Sequence, residues 1–429
     1  MNIIERARAF VQKRQEIASR SARDWQQCPT CKGRNTEKFG GYYRHPWTLE
    51  GRKDVRVQRH LCHTCDATYI EEQAELVRRG WYACDVRRCA VDYWMHGRTS
   101  LRRAAELVRS HLGRQERWWQ WRGGEQHPAG QAQCQLSFTT IQRWLDGAGK
   151  EAQANVAGQL EGVKTSGQMG TDGLWVRLRD GGKRVVLSLV DSTTGLICGI
   201  VVATGEESAA QWGKLFERAK EMGVVLEKLS GLTSDGAQGL LSYLRGALSW
   251  VHHQRCVWHF WRSLAADLAK IAAQAAKDVA EGMAQAAQQT ARKELTALLH
   301  AVLDAQSHAQ AEEALAKLRA HAWGASLAKK VNEQLDRLLY PLLQCHRGLV
   351  RIAPEWFWRD YRLRLSHGRN QASAERLERD ALLWSIYHNF TPAQRRSERK
   401  RHYKHPGQSP LEVAGGAPGE ISYLDALGV

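Results

Sequence analysis

The chain has 429 residues, too long for one small core, and its 62 Lys and Arg outweigh 45 Asp and Glu to give a formal charge of +17. No run approaches the ~20 apolar residues of a membrane helix, and the opening MNIIERARAFVQKRQEIASR has no apolar signal core, so the expectation is a cytoplasmic protein without a membrane partner. The charge is uneven: residues 1–150 hold 27 basic and 16 acidic side chains, residues 151–350 hold 22 and 20, and residues 351–429 hold 13 and 9. Basic ends around a near-neutral middle point to a polyanion such as double-stranded DNA, from which clustered Lys and Arg release condensed counterions.

In chain order, residues 3–20 read as a short amphipathic helix. Two Cys-x2-Cys knuckles follow, Cys28 with Cys31 and Cys62 with Cys65. Each knuckle sets two thiolates on one tight turn, and two turns close a tetrahedral shell around a structural Zn2+. The alternating segments between them, FGGYYRHPW and VRVQRHLC, bury little, so the metal is expected to hold this ribbon together. His45, His60 and His63 are possible substitutes for a Cys ligand, but the paired spacing favours four sulfurs. Cys84 and Cys89 read as buried thiols on a helix. With no sign of export, the ten cysteines are expected to be thiols or metal ligands.

DVRRCAVDYWMHG and TSLRRAAELVRSHLG predict two helices, the first stopped at Gly97 and the second capped by Thr99 or Ser100. SFTTIQRWLDGAG predicts another, capped by Ser137 and burying Phe138, Ile141, Trp144 and Leu145. Thr139, Thr140, Gln142 and Arg143 then face outward, as on a recognition helix in a helix-turn-helix-like module. The gap 113–136 is long for a compact helix-turn-helix. It contains RWWQWRGG, whose Trp118, Trp119 and Trp121 either stack on bases beside Arg117 and Arg122 or pack on the neighbouring helices.

From 168 the pattern becomes three apolar runs with Asp/Gly turns, then helix, strand, helix, strand. That is the order of a ribonuclease-H-like fold. Residues 260–350 are Ala-, Leu- and Gln-rich without strand signal and read as an all-helical block. The fold class expected is a multidomain α+β/α/β chain. Residues 1–75 form an N-terminal helix and zinc ribbon, and 76–150 a helical DNA-binding module. Residues 165–259 begin the catalytic core, 260–350 form the all-α insertion, and 351–429 complete the core with an acidic helix and a basic tail.

Asp172, in Thr-Asp-Gly, ends or interrupts the first strand of this core, and Asp235, in Ser-Asp-Gly, ends the fourth. Those strands are neighbours in a ribonuclease-H-like sheet, so both carboxylates can face one site. Each alone reads equally well as a turn. Together, with no sulfur nearby, they suit Mg2+. Two such ions, for which Mn2+ can substitute, activate a nucleophile and stabilise the leaving oxygen in phosphodiester cleavage. A third acid is expected on the helix in RNQASAERLERDALLW: Glu375, with Glu378 one turn on and Asp380 a weaker rival. Asp191 and Glu206 and Glu207 have simpler readings, a hairpin turn and a helix N-terminus.

Thr-Asp-Gly at Asp172, Ser-Asp-Gly at Asp235, Cys-Val-Trp-His at Cys256 to His259 and Ala-Glu-Arg-Leu-Glu-Arg at Glu375 together resemble the Mutator-type DDE transposases of bacterial insertion sequences and eukaryotic elements. The resemblance covers roughly 168–400. It implies Asp172, Asp235 and Glu375 as metal-holding catalytic acids, and an all-helical insertion filling most of the 140 positions between Asp235 and Glu375. In that family an Asn often directly precedes the acid, whereas here Asn370 lies five positions before Glu375, which keeps Glu378 in play. Cys256 and His259 are expected to brace the fifth strand against the first insertion helix rather than form half a zinc site. The closing GQSPLEVAGG is similar to the tails of bacterial transposases.

By the resemblance, water is the nucleophile at the element end, and the freed 3′-hydroxyl then attacks target DNA. The N-terminal modules would bind terminal inverted repeats, a homo-oligomer would act on paired ends, and the protein would be nucleoid-associated. The basic RRSERKRHYKH, with Arg399 and Arg401, would hold phosphates or is simply a solvated charge run. Two other functions are open: a transposase-derived DNA-binding regulator without catalysis, and a ribonuclease-H-like nuclease without strand transfer.

Overall fold

The computed structural model describes residues 1–20, 24–77, 80–112, 116–122, 125–132, 134–277, 279–339, 355–367, 373–392 and 407–429. The chain separates into two compact units. One comprises Met1–Gln159, Tyr361–Thr391 and Gly416–Val429, and the other Leu160–Asp360 and Pro392–Gly415.

The first unit opens with α1 (Ile3–Ser19), started by a capping box in which Asn2 and Glu5 satisfy each other's backbone N–H groups. A ribbon follows: β1 (Thr36–Arg44), the two-residue pair β2 (Trp47–Thr48) and β3 (Gly51–Arg52), then β4 (Val55–Cys62) and β5 (Thr68–Ile70). β4 is the centre of a three-stranded sheet, antiparallel to β1 and β5. Two helices come next, α2 (Cys84–Met95) and α3 (Leu101–Leu112). Part of the 113–136 gap is a pair of antiparallel strands, β6 (Glu116–Arg122) with β7 (Glu125–Ala132). α4 (Phe138–Ala154) is capped by Ser137, whose hydroxyl accepts from the Thr140 N–H at 3.2 Å. Its buried face is Ile141, Leu145, Ala148 and Gly149. Phe138, expected in that face, is exposed instead, because Arg102 draws its ring outward in a cation–π contact at 5.1 Å.

The second unit is built on a sheet of five strands: β8 (Gln168–Arg177), β9 (Lys183–Asp191), β10 (Ile197–Thr204), β11 (Gly231–Ser234) and β12 (His252–Arg255). Their order is β10-β9-β8-β11-β12. The first three form an antiparallel meander, while β11 runs parallel to both β8 and β12. β9 is buried from Val185 to Asp191 without alternation, as expected of a strand covered on both faces. The parallel strands are reached through α5 (Ala209–Glu221) and α6 (Gln238–Ala247). α5 buries Trp212, Leu215, Phe216 and Ala219, the stripe that its 3.6-residue periodicity demands.

Helices α7 (Val257–Lys277), α8 (Ala284–Leu303), α9 (His308–Ala320), α10 (Ala325–Asn332) and α11 (Leu335–Leu338) follow. They share one leucine-rich core that includes Leu264, Leu295, Leu318 and Val331. The amide of Gln254 on β12 donates to the Leu338 carbonyl at 2.9 Å, fastening the end of this block to the sheet.

After α12 (Glu355–His367), the chain rejoins the first unit with α13 (Ala374–Phe390), which packs on α4. Asp380 on α13 lies buried with Arg364, Nη2 to Oδ1 at 3.1 Å, and accepts from the Tyr361 hydroxyl at 3.3 Å. The Arg364 guanidinium stacks on Trp94. Asp380→Ala would leave a buried guanidinium without its counter-charge, so a loss of about 3–5 kcal/mol is expected. The urea midpoint of the full chain measures it, and Asp380→Asn is expected to recover part of the loss.

Candidate active site and metal centre

Two knuckles of the same shape bring four sulfurs together. In each, the residue after the second cysteine adopts a left-handed conformation, Lys32 at φ 61° and Asp66 at φ 55°, which turns the chain back under its own thiols. The sulfurs of Cys28, Cys31, Cys62 and Cys65 all lie within 4.8 Å of one another. Cys28 is 3.7 Å from Cys65, and Cys31 is 3.6 Å from Cys62. A tetrahedral ion bound at about 2.3 Å sets its sulfurs about 3.8 Å apart, so this cluster could bind structural zinc. The Cys31 backbone N–H lowers the Cys28 thiol to about 6, toward the thiolate that a metal requires.

The three histidines of the ribbon are engaged elsewhere. His60 meets Glu71 at 2.9 Å and stacks on Tyr69, His63 meets Glu37 at 3.3 Å, and His45 pairs with Asp54. Cys84 and Cys89 are half-buried thiols raised by desolvation. Among the described residues the four cysteines are the one group of three or more metal-type side chains.

In the second unit, the ladder between β8 and β11 aligns Gly231 with Gln168, Leu232 with Met169 and Thr233 with Gly170. Asp172, within β8, and Asp235, one residue past the end of the neighbouring parallel strand β11, each stand two positions beyond that last pair. Asp172 is buried within β8 opposite Ser188. Asp235 is half-buried just past the end of β11, and its Oδ1 accepts from the Ala237 N–H at 3.0 Å as Gly236 turns at φ 85°. The simple reading of Asp-Gly as a turn is therefore true of Asp235 and does not describe Asp172.

A further carboxylate lies close by. β10 and β11 both run parallel to β8, so the segments leaving them emerge at the same end of the sheet. Glu207, just before α5, is half-buried there and accepts from the Trp175 indole N–H at 2.9 Å. Its Oε1 lies only 2.9 Å from where a side chain on Gly173 would begin. Burial, and after it the charge of Asp235, push its carboxyl pKa up. Gly239 in the first turn of α6 lets the two helix starts approach, since a Cβ there would fall 1.8 Å from the Glu207 carbonyl. In the sequence Glu207 looked like a helix-start acid. The signal that could have found it was its place directly after a strand parallel to β8.

Arg255 lies close enough for the Asp235 carboxylate to favour its charge, against the desolvation that lowers its pKa. The Cys256 N–H donates to the Ser234 carbonyl at 2.7 Å, and its thiol is buried at the start of α7, while His259 packs edge-on to Trp258. Asp191 is buried and accepts from the N–H groups of Ser166, Thr193 and Thr194, which is a turn-stabilising role. Glu375 stands exposed in the first turn of α13, in the first unit, with Glu378 half-buried one turn on. Asp380 is committed to Arg364.

On α4, Thr139 and Arg143 are exposed. Thr139 and Thr140 also contact the capping hydroxyl of Ser137, and Gln142 donates to Asp146 at 3.3 Å. Arg117 and Arg122 lie on β6, with side chains outside what the structure describes; Asn370, Arg399 and Arg401 fall outside the described residues.

Residues 168–345 match the family model described as "Transposase, Mutator family". The second unit thus carries a transposase domain, one whose class cuts DNA and transfers strands. In that segment the chain is similar to the Mutator family, and Asp172, Asp235, Cys256 and His259 all fall inside the matched residues, whereas Glu375 lies beyond them. No curated protein matches the chain. No described helix is long and apolar enough to cross a membrane.

Two outcomes are expected. Metal analysis of the purified chain should find about one zinc, lost on Cys62→Ser together with protection of the β1–β4–β5 amides from hydrogen exchange. His253, whose Nε2 sits 2.8 Å from the Ser234 hydroxyl, is lowered to about 4 by burial and by Arg337 and Arg255. The unfolded chain takes up that proton first, so stability should fall as pH drops from about 6.5 to 4 and level off below, by up to about 3 kcal/mol. Chemical denaturation across that range checks it, and His253→Gln should flatten this part of the profile.

Proposed function

We propose that the chain is a DNA transposase that binds the terminal inverted repeats of a bacterial insertion sequence, cleaves its ends and joins them to target DNA. The observation that carries this reading is the placement of Asp172 on β8 and of Asp235 just past the end of the neighbouring parallel strand β11, both within the Mutator-family match. The strand order of the five-stranded sheet and the helical block that follows β12 support a ribonuclease-H-like core with an inserted all-α segment.

The hard oxygen donors of Asp172 and Asp235 suit Mg2+, or Mn2+ in its place, and Glu375 is proposed to complete the set. When bound, such ions supply an activated nucleophile and stabilise the leaving oxygen. The protein's own contribution is to fix the two carboxylates by strand pairing, since side chains held on neighbouring strands need little reordering before reaction. Burial of Asp172 keeps its carboxylate away from bulk water, which strengthens its interaction with cations. The four cysteines are proposed to hold zinc and so stiffen a small ribbon for DNA binding by the first unit. Double-stranded DNA, a homo-oligomer on paired ends and a cytoplasmic, nucleoid-associated location complete the proposal.

The test is end cleavage on a labelled duplex carrying the element end. Asp235→Asn and Asp172→Asn should each remove cleavage, well beyond the ~10–100-fold cost of losing an outer-shell partner, while end binding persists. Glu375→Gln should do the same, and Glu378→Gln should retain cleavage. Cleavage surviving Asp235→Asn would overturn the assignment.

A further inference from the structure

The first unit contains a cleft of about 1830 Å³ that none of the carboxylates or recognition residues above explains. It runs between α1 and the ribbon, bounded by the segment around Trp81. Small-molecule pockets are about 300–1,000 Å³, so this space is large for one. Its lining contains seven Lys and Arg, among them Lys13, Arg14 and Arg20, against three Glu, and one of those three, Glu71, is taken up by His60.

The cleft also presents aromatic rings. Tyr42, Tyr43 and Trp81 line it and are 43%, 41% and 71% exposed. The segment that carries Trp81 is held in place, because the Arg44 guanidinium donates to the carbonyls of Val77 and Gly80 and the Trp81 carbonyl accepts from the Trp47 N–H at 2.9 Å. The rings are thus set on fixed backbone beside cationic side chains.

We infer that this cleft is a binding site for single-stranded DNA, with Tyr43 and Trp81 stacking on bases and Lys13, Arg14 and Arg20 lying along the phosphates. A charged groove with stacking platforms is the chemistry that takes an unpaired strand. In a duplex the base faces are already stacked on one another and offer the rings nothing. An acidic peptide would satisfy the cations but leave the aromatic rings uncovered. The inference rests on the reading of the chain as a transposase, whose DNA cutting produces strand ends that can fray.

The test is fluorescence anisotropy of the full-length protein with labelled (dT)15 and, separately, with a mixed-sequence 20-base-pair duplex. The Tyr43→Ala/Trp81→Ala double variant should lose about 30-fold or more in affinity for (dT)15 while binding the duplex nearly as before. Tyr43→Phe/Trp81→Phe, which keeps the rings, should retain binding, and Arg14→Ala should reduce the salt dependence. Unchanged (dT)15 binding in the double variant, an equal loss for both DNAs, or displacement of (dT)15 by poly-glutamate as readily as by unlabelled (dT)15 would overturn the inference. A chain that binds (dT)15 through these rings but no duplex would support the cleft and count against the transposase reading. Circular dichroism and zinc content identify a variant that has misfolded.

Discussion

The parallel pairing of β8 with β11 is the constraint on which the candidate active site depends. It joins segments 63 residues apart, counted from Asp172 to Asp235, and its register sets the position of one carboxylate against the other. A slip of one residue would turn one of them to the other face of the sheet. The register is protected by burial, since Met169, Thr171, Leu232 and Thr233 are all enclosed. α5 and α6 connect the parallel strands, and Glu207 and Asp235 lie just before their starts at the same end of the sheet.

A buried carboxylate within a strand is unfavourable unless its surroundings compensate it. Asp172 is buried within β8, and Asp191, also buried, accepts from three backbone N–H groups. Asp380, also buried, has Arg364 and Tyr361. Burial alone therefore does not separate acids that support the fold from those placed for chemistry.

The two units reach stability by different means. The second encloses long apolar strands and a leucine-rich helical core. The ribbon of the first has almost no interior: β1 is exposed along nearly its whole length. There two knuckles converge on one point, and their four cysteines could bind a structural zinc where apolar side chains are scarce. The same shallowness leaves Tyr42 and Tyr43 at the surface.

Much of this was legible in the sequence because it is encoded over short distances. Cys-x2-Cys is a local geometry, the stripe of α5 is a local periodicity, and the alternation of strands and helices from 168 onward is carried by each segment's own composition. The β6–β7 pair escaped because its second strand, EQHPAGQA, contains Pro and Gly and lacks β-branched residues. Phe138 was misjudged because periodicity places it on the apolar face, while a cation on a different helix draws it out. The position of Asp172 against Asp235, the approach of Glu207 to that pair, and the capture of Asp380 by Arg364 were decided only in the folded chain. Residue spacing determines which neighbours within a few positions can meet, but contacts between distant segments depend on register and helix packing, which arise only when the whole core is assembled.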